Sequence, residues 1–557
     1  MGGEEGGKKR KVVEADGWKG KAPMAAADVE WADDDDSDGE SEEMEGELGE
    51  GGEAYNEAYL AGVVPVVVKD DRPETCDGFA LAGEADATAF MEWLIAPFPL
   101  DRFVDEVWER RPLVVKREAA HPDYYAGWFS TQEVDRLLRE VGMKYKYNVD
   151  VTSYKGKRET HNANYDGTTR MADPDVVWKR YREEGCSLRV LHPQRWCDPL
   201  WKMLAAMERF WNCSVGCNTY LTPANSQGFS PHWDDIEAIV LQLEGRKSWK
   251  LYRPRTAEEA LPRYSSGNFE QDEIGEPILE VEIGPGDLLY LPRGVIHQAE
   301  SPPDTHSLHV TLSTNQFNTW ADLLEVALPR ALELASAECC ELRTAPPRDH
   351  FDYMGVVHSD KDDPARGGFQ MRVMELCSLV LEHLPMDAVA DQMAKRMLSQ
   401  RLPPPPLSDA LSGTPRLTGA AAAAAVTDAS RVKLAYPACA RLCIEEENAA
   451  VYHMMRNPRL MHMEGEGECS DDEEGDDGDG DGDGEEGEAD EAEGVGGAAK
   501  GKLLFSLDDA PGLERLLTMD TEETMEVRAL EEVTESPKAR RQLVGGLLRA
   551  GVLVLVG

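Results

Sequence analysis

The chain has 557 residues, room for several domains and at least one large core, and carries a formal net charge of −48. No apolar run approaches the roughly 20 residues that a bilayer-spanning helix needs. The eleven cysteines show no repeated Cys-x-x-Cys spacing, which argues against a zinc-ribbon module. With no secretory leader, those thiols are expected to be reduced and intracellular.

The negative charge is concentrated. Between Asp28 and Glu53 there are 14 acidic residues and no basic ones, and between Glu464 and Glu493 there are 18 and none. Both stretches are rich in Gly, Asp and Glu, and bury too little apolar surface to offset their chain entropy. They read as a disordered arm and a disordered linker. Residues 1–75 form that arm, and Lys8-Lys9-Arg10-Lys11 within it resembles a nuclear localisation signal.

Order is expected to begin near Thr88, where Phe90, Leu94, Ile95 and Phe98 recur at helical spacing before Pro97 and Pro99 break the pattern. Helices are predicted from Thr131 to Val141 and from Pro199 to Trp211, the latter with Trp and Met positions that suit a core. From Asn218 to about Asn315, short period-2 strands separated by Gly and Pro predict a β-sandwich or barrel. A helix should restart at Trp320. The tetraproline at Pro403 and the alanine run to Ala425 read as a low-complexity insertion, and residues 430–460 as helical. Two or three short helices and the strand Val552–Val556 suggest a small winged-helix-type module over residues 502–557. Its acidic residues outnumber its basic ones, so direct nucleic-acid binding is not evident. Asp479, Asp481 and Asp483 imitate an EF-hand opening without flanking helices and are set aside.

The informative passage is Pro231-His232-Trp233-Asp234-Asp235. On extended backbone, residues i and i+2 share a face, so His232 and Asp234 can converge on one ion. A histidine and a carboxylate supply two vertices of the two-histidine, one-carboxylate triad that leaves open positions on iron(II). The third ligand must come from His297, His306 or His309. His297 follows the turn pair Pro292 and Gly294, and His306 lies in a polar loop. His309 lies on a strand whose opposite face is Leu308, Val310 and Leu312. The face bearing His309, Thr311 and Ser313 is either solvent-exposed or the wall of a polar pocket. Lys247 shares parity with Trp249 and Leu251. It either snorkels at a strand end or points inward, where only an anion would make its burial favourable.

Four ordered motifs carry a resemblance: Asn218-Thr219-Tyr220-Leu221-Thr222-Pro223, Pro231 through Asp235, Leu241-Gln242-Leu243-Glu244-Gly245, and Gly286-Asp287 through His297. Together with Phe103 through Leu113, they resemble the JmjC ribosomal oxygenases, closest to the bifunctional lysine-specific demethylase and histidyl-hydroxylase group. The resemblance implies an α+β fold: a double-stranded β-helix (JmjC/cupin-like) catalytic core, a helical dimerisation region and a C-terminal winged-helix-type domain. The corresponding spans are 76–320 for the oxygenase domain with its helical lead-in, 321–463 for the dimerisation region with its insertion near 402–425, 464–501 for the linker and 502–557 for the last domain. It implies Fe(II) held by His232, Asp234 and His297, with 2-oxoglutarate and O2 as co-substrates and Lys247 anchoring 2-oxoglutarate. Asn218, Tyr220 and Ser313 fall at positions that contact the substrate side chain. The resemblance further implies a homodimer in the nucleus, or nucleolus, acting on a histidine of a ribosomal protein, on methyl-lysine of histone H3, or on both. Trp233 departs from the family, where Tyr is usual. A non-catalytic chromatin or ribosome-assembly protein keeping the fold, and a cupin-type metalloenzyme independent of 2-oxoglutarate, are the competing readings.

Overall fold

The computed structural model describes residues 58–72, 87–405, 416–459 and 501–556, together with Asn56 and without Glu446 and residues 521–522. The basic cluster at Lys8, both acidic stretches, the EF-hand mimic and most of the arm lie outside the described residues.

Twelve strands build the first unit. They are β1 (Val66–Lys69), β2 (Leu113–Lys116), β3 (Val149–Tyr154), β4 (Arg158–Thr160), β5 (Ser187–Leu191), β6 (Val215–Thr222), β7 (Glu237–Gly245), β8 (Lys247–Tyr252), β9 (Leu279–Ile283), β10 (Leu288–Leu291), β11 (Ile296–Glu300) and β12 (Ser307–Thr314). Nine form one sheet in the order β1-β2-β10-β7-β12-β6-β5-β3-β4, and three form a second in the order β11-β8-β9. The chain passes between the sheets repeatedly, as a double-stranded β-helix requires.

Period-2 alternation explains the layering. On β7, Ile239 and Leu241 enter the core beneath the large sheet, whereas Ala238 and Val240 face the small sheet. On β10, Leu288 and Tyr290 take the first side and Leu289 and Leu291 the second. The first core is closed by α1 (Ala87–Ile95), through Phe90, Met91, Leu94 and Ile95, and by α2 (Asp198–Trp211), through Leu200, Met203, Leu204 and Met207. A helical stretch also spans residues 131–141, its first turn capped by the Ser130 hydroxyl.

Gly245 turns the chain from β7 into β8 with φ +57. A Cβ there would overlap the carbonyl of His306, so only glycine permits this passage from one sheet to the other.

The helices α3 (Trp320–Glu338), α4 (Pro364–Leu381) and α5 (Met386–Gln400) follow. The expectation of a helical segment at 430–460 is overturned: this stretch is β13 (Arg431–Leu434), β14 (Ala440–Glu445) and β15 (Asn448–His453). Cross-strand pairing from Ala440↔His453 to Glu445↔Asn448 overrides the helix propensity of its Ala, Leu and Glu residues. The alanine run is no unstructured linker either. Residues Gly419–Ala425 form helix α6, with Ala422 fully buried. The last segment completes sheets begun before residue 460. Strand β16 (Lys502–Ser506) pairs with β15, and β17 (Leu553–Val556) pairs with β13. One apolar core runs through this unit from Leu398 to Leu555. No helix among the described residues is long and apolar enough to cross a membrane.

Candidate active site

The two sheets enclose a pocket of about 250 Å³. His232, Asp234 and His297 line it, with potential ligand atoms all within 4.8 Å of one another. His232 Nε2 stands 3.7 Å from one Asp234 carboxylate oxygen and His297 Nε2 stands 3.6 Å from the other. The two histidines are locked together through the main chain. His232 N donates to His297 O at 3.3 Å and His297 N donates to His232 O at 2.9 Å. His232 therefore sits at a single bridge rather than within a long strand.

Each imidazole is aimed by its other nitrogen. His232 Nδ1 lies 2.8 Å from the Ser230 carbonyl, and His297 Nδ1 lies 3.1 Å from that of Val295. A carbonyl only accepts, so Nδ1 carries the proton and Nε2 offers its lone pair. Burial, and then the neighbouring His232, push the His297 pKa down to about 4, which keeps the ring neutral. Two histidines presenting Nε2 beside a carboxylate fit a divalent metal, and the open side suits an ion that must also take co-substrate.

His309, the competing third ligand, lines the same pocket but is not part of the cluster. Its ring stacks on Tyr220 at 4.9 Å and meets Trp249 edge-on at 5.6 Å. The face bearing His309, Thr311 and Ser313 is thus the pocket side, since Leu308, Val310 and Leu312 enter the core beneath the sheet. His306 lies elsewhere, 3.1 Å from Glu244.

Lys247 points inward and is 5 % exposed. Its ammonium donates to the Thr222 hydroxyl at 3.1 Å and has no carboxylate partner among the described residues. Burial alone pushes its pKa down to about 7. Lys250, on the outer face, pairs with Glu280 at 3.3 Å. A desolvated cation in the same pocket as a metal-binding cluster, held by a neutral hydroxyl and 5.9 Å from the centre of the Trp249 ring, fits an acidic co-substrate.

Tyr220 lines the pocket. Asn218 and Ser313 share the parity of Tyr220 and His309 and pair with Thr311 and with Gly216 and Ala238, respectively. They sit on the pocket-facing side, further along the strands. The buried Asn218 Oδ1 has no hydrogen-bond partner among the described residues. Trp233 turns away from the pocket, packing on Phe269 at 5.1 Å, so its departure from Tyr leaves the cluster unaltered. Thr222, Trp249, Phe229, Arg158 and Arg189 also contribute. Thr222 and Trp249 were findable from parity with Tyr220 and Lys247, whereas the two arginines come from distant segments without a local signal and Phe229, three residues before His232, lies on no alternating strand.

The fold and this donor set define a JmjC oxygenase, and the JmjC domain model matches residues 189–323. Ribosomal oxygenase 1 of Danio rerio is 43% identical over 387 residues, covering 68% of this chain and 70% of the relative. Ribosomal oxygenase 1 of Homo sapiens is 44% identical, covering 68% and 59%. The bifunctional lysine-specific demethylase and histidyl-hydroxylase NO66 of Culex quinquefasciatus is 47% identical, covering 61% and 53%. The chain belongs to the ribosomal oxygenase family. Its match spans less than two thirds of the human and mosquito relatives.

Proposed function

We propose that this chain hydroxylates a histidine of a ribosomal protein, using Fe(II) held by His232, Asp234 and His297. The carrying observation is the coincidence, in one pocket, of that cluster with a Lys247 ammonium that has no carboxylate partner among the described residues. When bound, iron with 2-oxoglutarate and dioxygen supplies the oxidant that converts C–H to C–OH, with release of succinate and carbon dioxide.

The chain's own groups do the rest. Lys247 and the Thr222 hydroxyl receive the distal carboxylate of 2-oxoglutarate, giving the ammonium the anion it lacks. The carbonyls of Ser230 and Val295 fix the two histidine tautomers. Tyr220, Asn218 and Ser313 orient the incoming side chain, and Asn218 Oδ1 is free to accept a hydrogen bond from an imidazole N–H. The wall of Trp249 and His309 excludes water from the inner end.

The relatives named as bifunctional support methyl-lysine of histone H3 as a second substrate, since the same oxidation of an N-methyl group ends in loss of formaldehyde. We further read the helical region as a dimerisation surface. The helix α4 buries none of its residues, and Met371 and Met374 are 66% and 58% exposed. The C-terminal unit is read as winged-helix-type, and the Lys8–Lys11 cluster supports a nuclear or nucleolar location.

The test is 2-oxoglutarate turnover with ribosomal-protein and histone H3 peptides, followed by mass spectrometry. Wild type should add one oxygen to a histidine while His232→Ala should be inactive. Equal turnover by the two proteins sinks the site. Loss of methyl groups without oxygen on histidine transfers the assignment to lysine.

A further inference from the structure

At the mouth of the pocket stands a second cation without an ion-pair partner among the described residues. The β3–β4 hairpin carries Lys155 and Lys157, both exposed, and then Arg158, which lines the pocket. The Arg158 guanidinium lies over the Phe229 ring, 4.5 Å from its centroid. That ring meets Tyr220 at 5.5 Å and His232 at 6.4 Å. One aromatic ring therefore separates Arg158 from a metal-binding histidine.

Its neighbour Arg189 makes an informative contrast. Arg189 lies over the same ring at 5.7 Å, but it is tied to Asp150, whose other oxygen accepts from Asn162 at 2.6 Å. Both Asp150 oxygens are thereby engaged, and its charge reaches Arg158 only at a distance. Arg158 has no carboxylate within ion-pair distance among the described residues, and its buried Nε has no hydrogen-bond partner. Burial, followed by repulsion from Arg189, opposes its charge. Contact with a phenyl ring is a weak return for stripping water from a guanidinium. In a chain of net charge −48, an unpaired cation held at this position calls for an anion from outside. A planar guanidinium best matches a carboxylate, which it can take through two parallel N–H donors.

We propose that Arg158 is a specificity-determining residue that receives a carboxylate side chain of the polypeptide substrate, close in sequence to the residue entering the metal pocket. Lys155 and Lys157, on the same hairpin, attract that acidic segment as it approaches. The proposal rests on the reading of this chain as a protein oxygenase and adds to it the charge of the substrate's flank.

The experiment uses the full chain loaded with manganese(II) and 2-oxoglutarate under anaerobic conditions, with fluorescein-labelled Gly/Ala peptides bearing one central histidine. Asp is placed at successive positions on either side, with Asn in a matched set, and binding is followed by fluorescence anisotropy. At one position Asp should bind roughly tenfold tighter than Asn, the scale of a charge-assisted hydrogen bond. Arg158→Gln should erase the preference, Arg158→Lys should retain part of it, and Arg158→Glu should favour Lys in the peptide. Equal binding of Asp and Asn peptides at every position overturns the proposal. So does no binding by any peptide, or a preference that persists in Arg158→Gln while Arg158→Lys remains folded. Binding of oligouridylate that Arg158→Gln weakens, with peptides indifferent to Asp, also overturns it in favour of a nucleic-acid phosphate. Consumption of 2-oxoglutarate by the iron-loaded wild type separates the two readings. Its absence with every substrate sinks the oxygenase mechanism and this proposal together, whereas turnover with Asp-indifferent binding sinks the role of Arg158 alone.

Discussion

Replacing Lys247 by Met should make the ligand-free protein more stable while crippling its grip on 2-oxoglutarate. In the folded chain the Lys247 pKa falls from 10.5 to about 7. At about 1.36 kcal/mol per unit, the buried ammonium costs about 4 kcal/mol at pH 7, an upper figure because local relaxation reduces it. The unfolded chain keeps the lysine proton up to pH 10.5 and the folded chain loses it above about 7. The unfolded state thus binds more protons across that window, and wild-type stability rises with pH there. The penalty is full below pH 7 and gone above pH 10.5. Met keeps the apolar stem and removes the charge. Thr222 is not orphaned, because its hydroxyl also accepts from Ser187 at 3.2 Å. Thermal unfolding of metal-free protein should therefore show Lys247→Met several degrees above wild type at pH 7, with the gap closing toward pH 10. Binding of 2-oxoglutarate to the manganese-loaded protein, followed by calorimetry, gives the converse. Binding needs the ammonium, so wild-type affinity should fall up to tenfold per pH unit above 7, whereas the weak affinity of the variant should be far less pH-dependent in that range. A variant less stable than wild type at pH 7, or a wild-type affinity flat from pH 7 to 9, would refute the unpaired, inward-facing ammonium.

Gly245→Ala should lower stability by about 2 kcal/mol or more, because it places a Cβ against the His306 carbonyl at positive φ. Since Lys247 is two residues on, 2-oxoglutarate affinity should drop with it; chemical denaturation and calorimetry check both. Met371→Glu combined with Met374→Glu on α4 should convert a dimer to a monomer in light scattering without lowering the unfolding midpoint of the monomer. A monomeric wild type, or a variant still dimeric, would remove α4 from the interface. His297→Ala should lower manganese(II) affinity by at least tenfold in a calorimetric titration, whereas His309→Ala should leave it within a few-fold. A comparable loss in both would return His309 to the ligand set.

Much of the catalytic half was legible because alternation is short-ranged. The inward parity of Lys247, Trp249 and Leu251 is confirmed by their burial. The shared face of Leu308, Val310 and Leu312 was legible, but whether the opposite face of His309 met solvent or a pocket was open until the structure placed His309 and Thr311 in the pocket lining. The choice between His297 and His309 was not legible from local pattern, for both are buried and both line the pocket. What separates them is the reciprocal main-chain pairing of His232 with His297, a contact across 65 residues that no periodicity reports. The two arginines at the mouth depend on β3, β4 and β5 being added to the large sheet beside β6. The C-terminal half was misread where composition and pairing disagree. Residues 440–453 carry helix-forming Ala, Leu and Glu and no Asn-Gly or Asp-Gly turn, yet they form a hairpin because β16 returns to pair with it. The alanine run looked featureless because identical methyl side chains mark no face. Its small size instead allows close packing against the helix Pro537–Ala550, where Ala423 lies against Gly545.

Glu208 gives the two halves of the molecule a shared fate. It is fully buried on α2, where both carboxylate oxygens accept from Leu402 N at 3.2 Å and the Arg401 guanidinium lies 3.5 Å away. Nearby, Trp201 donates to the Pro403 carbonyl at 2.9 Å and carries the Arg459 guanidinium 3.5 Å above its ring. A catalytic half released by proteolysis after α3 would surrender every one of these partners and bare the apolar surface around Trp201. Shortening the gene to the oxygenase portion would therefore yield a sticky fragment, unless Glu208 and Trp201 were resurfaced in the same step. Loss of the C-terminal unit in a descendant lineage would demand the same paired repair.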